Sequence, residues 1–431
     1  MMVVMALWIT GGGPYELGRV GPGLASIGRL TGLLVSDLLL VQVLLMARIP
    51  AVERSFGQDA LVRSHQVGFW SFILMAAHIV AISLGYSATT STGLWHTVVD
   101  LVINYPGMLL AVAGTFALVG VTITSVRSSR RRLRYESWHL LHLYAYLGLG
   151  LALPHQLWTG RDFLTSSVST VFWWTLWAVA AASVLVWRVG QPLWRSRRHQ
   201  LVVQEVRAES DRVTTIVMRG RRLDRLPARA GQFFQWRFLV GSGYTRAHPY
   251  SLSAAPDGRT LRITVAHLGD GSASVTRLRP GTKVLFEGPY GRLHAGVRTR
   301  RKVLLLACGI GIMPMRALLE DLDQRPGEVT LVYRVRSEPE RIMVDELNDL
   351  VGLREARFFV LTGHRVSARD SWLPEQSAHF GDVEALRQLV PDVAAHDVFV
   401  CGSIGWVAAA ERAVLRAGVP RENVHIERFA N

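Results

Sequence analysis

Lysine is almost missing from this 431-residue chain: Lys283 and Lys302 are the only two among 48 basic residues, and all the others are arginine. The net charge of +15 therefore reflects uniform arginine usage. Basic patches interleaved with aromatics, as stacking on nucleic acid requires, do not occur, and no nucleic-acid partner is expected. Cysteine is as scarce, with only Cys308 and Cys401, both inside glycine-containing turn motifs. A disulfide framework is excluded and a reducing cytosolic setting fits. The opening MMVVMALWIT lacks the basic region of a secretory signal. At about 1.5 Å per residue it is also short of a hydrocarbon core of about 30 Å, and it reads as the remnant of a first helix.

Charge is missing over long stretches of residues 1–190. Runs near 24–47, 66–86, 105–126, 138–158 and 168–189 are apolar enough to span a bilayer, and with the short first piece they predict a six-helix transmembrane bundle. Asp37, inside the first full span, must face the protein interior. Arginines crowd alternate loops: Arg48, Arg54 and Arg63, then RSSRRRLR at 127–134, then Arg188, Arg195, Arg197 and Arg198. The intervening loops have almost none. By the positive-inside rule the arginine-rich loops and everything after residue 190 are cytoplasmic, making a multi-pass protein of the cell membrane.

Against this apolar background four histidines stand out. His65 and His78 flank one span, His142 and His155 another, each pair thirteen residues apart on helices running from inside to outside. Thirteen residues rise about 19.5 Å, so each helix offers one imidazole near each membrane face. Neutral imidazole is a common axial haem ligand, and two per iron leave no open coordination position. Two stacked b-type haems forming an electron wire are the expectation. Thirteen steps of about 100° do not bring both rings to one line, so the helices must be distorted. Pro154 offers a cause in the second helix and nothing does in the first.

Residues 200–297 read as short alternating strands, LVVQEV, RVTTIVM, GQFFQWRFL, LRITVAH and KVLFEG, and predict a small antiparallel barrel. Within it lie RAHPYSLSAAP, GDGSAS and GPYG. A Tyr beside a Ser at a strand end can stack on a flavin ring and bond its nitrogen, and the amides of GDGSAS can bind a pyrophosphate. From 300 to 431 strands alternate with helices, which predicts a parallel sheet covered on both faces. The turn ACGIGIMP places Gly309 and Gly311 where backbone approaches a phosphate at a helix start. YRVRS offers Arg334, Arg336 and Ser337 to a 2′-phosphate, which favours NADPH, with NADH possible.

This order of motifs resembles the ferric reductase and NADPH oxidase type of transmembrane protein, with a ferredoxin-NADP reductase-like dehydrogenase tail. The resemblance implies three domains, a dihaem membrane domain over 1–190, an FAD-binding barrel over 200–297 and an NAD(P)-binding domain over 300–431. It implies that His65 with His142 holds an inner haem and His78 with His155 an outer one. Arg246, His248, Pro249, Tyr250 and Ser251 match the family's flavin motif, with Gly271 and Ser272 at the flavin pyrophosphate. Gly309, Gly311 and Pro314 match its nucleotide turn, and Cys401 and Gly402 the turn flanking the nicotinamide. Glu427 and Phe429 match its terminal acidic-aromatic element; Ser251, Cys401, Glu427 and Phe429 are thus the implied catalytic residues. Cys308, Met313 and Ser403 depart from the family's usual Gly, Thr and Pro. The implied route is NADPH to FAD, then single electrons through both haems to an external acceptor, dioxygen first and a ferric chelate second. A flavin reductase serving a cytosolic protein and a non-enzymatic dihaem subunit are the rival readings.

Overall fold

The computed structural model describes residues 1–56, 58–66, 68–126, 135–164, 166–240, 247–267, 272, 274–366 and 369–429. The chain divides into two compact units, 1–190 and 191–431.

The amino-terminal unit is helical: α1 (Met2–Thr10), α2 (Val20–Met46), α3 (Pro50–Phe56), α4 (Gln58–Gln66), α5 (Phe69–Thr90), α6 (Leu94–Asn104), α7 (Met108–Ser125), α8 (Tyr135–Trp158), α9 (Arg161–Leu164) and α10 (Ser167–Ser183). Short helices intervene between the longer ones, and the expected count of six is not confirmed. Among the described residues four helical runs are long and apolar enough to cross a membrane: Val20–Met46, Leu61–Thr90, Met108–Ser125 and Ser167–His199. The arginine-rich segment 127–134 lies outside the described residues. In α2, Asp37 is 5% exposed, as its cost in a span requires. The helices pair closely where side chains are smallest. A Cβ on Gly114 of α7 would sit 2.6 Å from the Gly148 carbonyl oxygen of α8, so only glycine allows that approach.

The second unit opens on α11 (Gln191–His199), in a segment that reads as a linker from sequence. Its buried face packs on a strand: the Phe286 amide donates to Ser196 Oγ at 3.2 Å, and Arg195 donates to the Gly288 carbonyl. The strands that follow are β1 (Val202–Ser210), β2 (Val213–Arg219), β3 (Phe233–Phe238), β4 (His248–Ser251), β5 (Thr260–Ala266) and β6 (Val284–Tyr290). The expected single barrel is instead two three-stranded antiparallel sheets, β1-β2-β5 and β4-β3-β6, around a shared core that includes Ile216, Phe234, Trp236 and Phe286. Single bridges at Val202–Lys283 and Leu252–Ile263 join the sheets at their corners, in place of full-length ladders.

The remainder is α/β, with β7 (Lys302–Cys308), α12 (Ile312–Asp321), β8 (Val329–Val335), α13 (Val344–Leu353), β9 (Arg357–Thr362), α14 (Asp382–Leu389), β10 (His396–Ser403), α15 (Ile404–Arg416) and β11 (Val424–Phe429). All five strands pair in parallel in the order β11-β10-β7-β8-β9. Alternate residues of β7 and β10 enter separate cores on the two faces, which is why these strands read as unbroken apolar runs.

Asp397, at the start of β10, is fully buried. It accepts hydrogen bonds from the Thr299 and Arg300 amides, Asn423 Nδ2 and His425 Nε2. Burial works to raise its pKa, but the His425 and Asn423 bonds and the two amides outweigh it and hold the carboxyl at about 2. Because the folded value lies below the unfolded one, this stabilises the fold above about pH 4 by about 2 kcal/mol and is lost as pH falls toward 2. Asp397→Ala leaves four donors without their acceptor. It is expected to cost about 3 kcal/mol and to lower the melting temperature of the detergent-solubilised chain by about 6–12 °C, read by circular dichroism.

Candidate functional site

The membrane histidines fall on three helices. His65 lies near the end of α4 and His78 on α5, and between them the Gly68 amide donates to the His65 carbonyl at 3.0 Å. His142 and His155 share α8, with Pro154 inside it. The His65 and His142 rings face each other with centroids 5.8 Å apart at 73°, and Trp138 lies 5.2 Å from His142. His78 and His155 make no direct ring contact. His78 Nδ1 lies 2.7 Å from the Gly28 carbonyl oxygen, and His142 Nδ1 lies 3.2 Å from Ser125 Oγ. The Nδ1 atoms of His65 and His155 are buried without a hydrogen-bond partner among the described residues. Clusters of three or more His, Cys, Asp or Glu suited to a bare metal ion are absent among the described residues. The donor set is thus imidazoles in apolar surroundings, which suits axial ligation of a porphyrin iron.

In the second unit the flavin motif forms β4 and the terminal motif forms β11. Ser251 Oγ donates to Glu427 Oε1 at 3.0 Å, tying β4 to β11 across 176 residues of chain. Parallel register sets Glu427 opposite Cys401 and Phe429 opposite Ser403. Three of the residues implied as catalytic thus gather at the carboxyl ends of the neighbouring strands β10 and β11, and Ser251 reaches them from β4. His248 and Tyr250 stack along β4, with rings 5.8 Å apart and 4° from parallel. Trp236 Nε1 donates to the Tyr250 carbonyl at 3.0 Å. Burial pushes the Tyr250 phenol well above its ordinary pKa, so it stays neutral. Pro249 is exposed and Ser272 half-buried, while Arg246 and Gly271 lie outside the described residues.

The nucleotide turn has the geometry a phosphate needs. Gly309 adopts φ +56°, and a Cβ there would meet nothing within 4 Å, so open space lies over the turn. At Gly311 a Cβ would run into the Cys401 carbonyl, and glycine lets the turn lie against β10. Pro314 falls in the first turn of α12, where no backbone N–H is needed. Gly402 is buried beside Cys308.

The proposed 2′-phosphate grip divides. Arg334 is 3% exposed and turns into the sheet edge, donating to the Val335 and Leu361 carbonyls. Arg336 is exposed and Ser337 half-exposed, leaving these two to meet a ligand.

Sequence reading missed the polar cluster that clamps the flavin-side sheets to the nucleotide-side helices. Glu346 Oε1 pairs with Arg262 at 2.6 Å and Arg316 at 2.7 Å, while both guanidiniums donate to the Ser253 carbonyl. Burial alone would raise the Glu346 carboxyl, but the Arg262 hydrogen bond and the charges of both arginines hold it below the usual range. In an arginine-rich chain no local signal separates these residues from surface cations.

Neither cysteine is a thiolate at neutral pH. Burial raises Cys308 to about 11 despite Arg334, Arg365 and Arg336 nearby. Cys401, fully buried, is raised by burial and by the Glu427 charge. Iodoacetamide at pH 7.5 is expected to leave both unmodified in the folded chain, with Cys308 reacting first as pH approaches 11, measured by peptide mass spectrometry.

Residues 31–153 match the family described as ferric reductase like transmembrane component, and residues 305–412 match the oxidoreductase NAD-binding domain. A flavohemoprotein of Vibrio cholerae is 29% identical over 250 residues, covering 55% of this chain and 60% of that protein. The ferredoxin reductase component of a 3-ketosteroid-9-alpha-monooxygenase from Mycolicibacterium smegmatis is 32% identical over 212 residues, covering 48% and 57%. Ferredoxin–NADP reductase B of Sorangium cellulosum is 32% identical over 214 residues, covering 45% of this chain and 84% of that protein. The chain thus spans about 60% of the length of the flavohemoprotein and 57% of the monooxygenase component. The chain thus carries a ferric reductase-like membrane segment, and its carboxyl-terminal half belongs to the ferredoxin–NADP reductase family.

Proposed function

We propose that the protein carries electrons from cytosolic NADPH across the cell membrane to an external acceptor, dioxygen. In this reading residues 1–190 are the dihaem membrane domain, 200–297 the FAD domain and 300–431 the NAD(P) domain, with the last two cytoplasmic. When bound, the flavin would take one hydride, two electrons with a proton, and release the electrons singly, and haems held by the paired histidines would supply single-electron relays across the bilayer.

The chain's own residues do the positioning. His65 and His142 would hold the inner haem, and the facing of their rings from different helices is the observation that carries the proposal. His78 and His155 would hold the outer. Ser251, fixed by Glu427, presents a hydroxyl at the end of β4 where Tyr250 offers an aromatic face. Cys401 and Gly402 would flank the nicotinamide, and the Phe429 ring would cover the flavin. Arg336 and Ser337 favour the 2′-phosphate of NADPH. Exposed apolar side chains along the helical unit, among them Trp70, Phe116 and Val171, suit contact with lipid. With the interior negative, each electron moving outward gains about 2.3 kcal/mol per 100 mV fully crossed.

Dioxygen is preferred over a ferric chelate because it needs no charged surface, and two cations toward the outer end pair with carboxylates. Arg29 pairs with Glu16 at 2.5 Å and with Asp162 at 3.1 Å, and Arg161 pairs with Glu16 at 3.3 Å. An anionic chelate would be left with the exposed Arg19, whereas dioxygen needs no charge.

Purified protein is expected to contain two haems per chain by pyridine haemochrome assay, both reduced by NADPH with FAD under anaerobic conditions. On admitting air, superoxide-sensitive dye reduction should exceed ferrous-chelate formation; the reverse result would transfer the proposal to ferric reduction. His78→Leu with His155→Leu should stop acceptor reduction while flavin reduction by NADPH continues; continued acceptor reduction would favour a flavin reductase. Ser251→Ala should slow flavin reduction by up to about 100-fold in stopped flow, through loss of the oriented hydroxyl.

A further inference from the structure

The two histidine pairs share an asymmetry that ligand spacing does not reveal. In each pair one imidazole has its Nδ1 engaged by a neighbouring helix, and the other has a buried Nδ1 without a partner among the described residues. The engaged rings are His78, held from α2, and His142, held from α7. Neither α2 nor α7 supplies a histidine of its own.

The contact on His78 is specific. A carbonyl oxygen only accepts, so the 2.7 Å separation from the Gly28 oxygen places the proton on Nδ1 and leaves the Nε2 lone pair for a metal. The ring reaches that carbonyl because it lies over Gly32, one turn further along α2. A Cβ at Gly32 would sit 2.6 Å from His78 Nδ1 and 2.7 Å from its Cε1. Gly28 is itself pressed on α5, where a Cβ would meet Ile82 at 2.7 Å. Glycine at 28 and 32 thus makes a socket whose floor is a hydrogen-bond acceptor. On the other side, Ser125 closes α7 with its hydroxyl 3.2 Å from His142 Nδ1. A hydroxyl can donate or accept, so it steers the ring without dictating the proton's place.

We propose that α2 and α7 are the orienting scaffold of the haem pairs: the Gly28–Gly32 socket sets the plane and tautomer of His78, and Ser125 sets the plane of His142. This rests on the dihaem reading above and adds residues to it that bind no cofactor. An Nδ1–H bonded to a carbonyl makes its imidazole a stronger electron donor to the metal, and loss of such an outer contact typically weakens metal retention about 10- to 100-fold. Each contact serves one haem only, so each can be tested against the other haem as an internal control.

The experiment is a redox titration followed by low-temperature electron paramagnetic resonance on full-length protein in detergent. The outer and inner signals are assigned as those lost in His155→Leu and His65→Leu. Gly32→Ala is expected to shift the g-values and raise the midpoint potential of the outer haem, or to lower haem content from two per chain toward one, with the inner signal unmoved. Ser125→Ala is expected to move only the inner signal, and Ser125→Thr, which keeps a hydroxyl, to restore it. Ser125→Ala removes one oxygen at a helix end and carries the test alone if Gly32→Ala does not accumulate. Signals matching the unsubstituted protein in either accumulated variant, or equal disturbance of both haems by Ser125→Ala, would overturn the proposal. Unsubstituted protein without two haems would instead overturn the dihaem reading itself, so the two failures are distinguishable.

Discussion

An imidazole placed in hydrocarbon has two ring nitrogens to satisfy and no water to satisfy them, and the arrangement of the helical unit follows from that requirement. A metal serves one nitrogen, but the other still needs an acceptor or a cavity. The cheapest acceptor inside a helical bundle is a backbone carbonyl, and it can be reached only where the helix carrying it lacks side chains. That is why α2 has glycine at 28 and 32 facing α5, and why these contacts are closer than ordinary side-chain packing allows. The same logic runs through α7 and α8, where Gly114 and Gly148 bring together the helix with His142 and the helix with Ser125. Close backbone approach and histidine orientation are one structural solution.

The second unit answers a different constraint, the need to bring distant segments of sequence to a single edge. Ser251 and Glu427 meet only if β11 adds in parallel beside β10 and the antiparallel sheets sit over the carboxyl ends of those strands. Two polar devices hold this. The Asp397 cluster pins the starts of β10 and β11, and thereby the register that puts Glu427 opposite Cys401. The Arg262–Glu346–Arg316 cluster clamps the sheets to α12 and α13. Both lie away from the Ser251–Glu427 contact, and both trade desolvation of charge for a fixed arrangement, which is worthwhile only where geometry matters more than net stability.

Much of this was legible in the sequence. Apolar length marked the spans, four histidines in that apolar context marked the candidate ligand pairs, and strand patterning gave every strand of the second unit except β4 and β11. Those two escaped for a physical reason. HPYS and VHIERF are short and carry the polar groups of the site, so they lack the apolar run that identifies a buried strand. Helix α13 escaped similarly, since VDELNDLVGL reads as a polar loop until the cluster around Glu346 shows what its acidic face is for.

Arg334 and Arg336 show where sequence reasoning has a built-in limit. Position after the second strand of a nucleotide fold is a good guide to where a 2′-phosphate would lie, but residues two apart share a face only while both are in the strand, and β8 ends between these two arginines. Arg334 is still within β8, paired with Leu361, and its guanidinium is taken up by the carbonyls at the sheet edge. Arg336 has left the ladder and is exposed. The positive charge of Arg334 still reaches the turn, together with that of Arg365, and pulls against the burial that raises Cys308. A buried cation with its donors committed to the backbone contributes field without contact. It can make the carboxyl edge of the sheet attractive to a dianion while leaving the choice between nucleotides to Arg336 and Ser337.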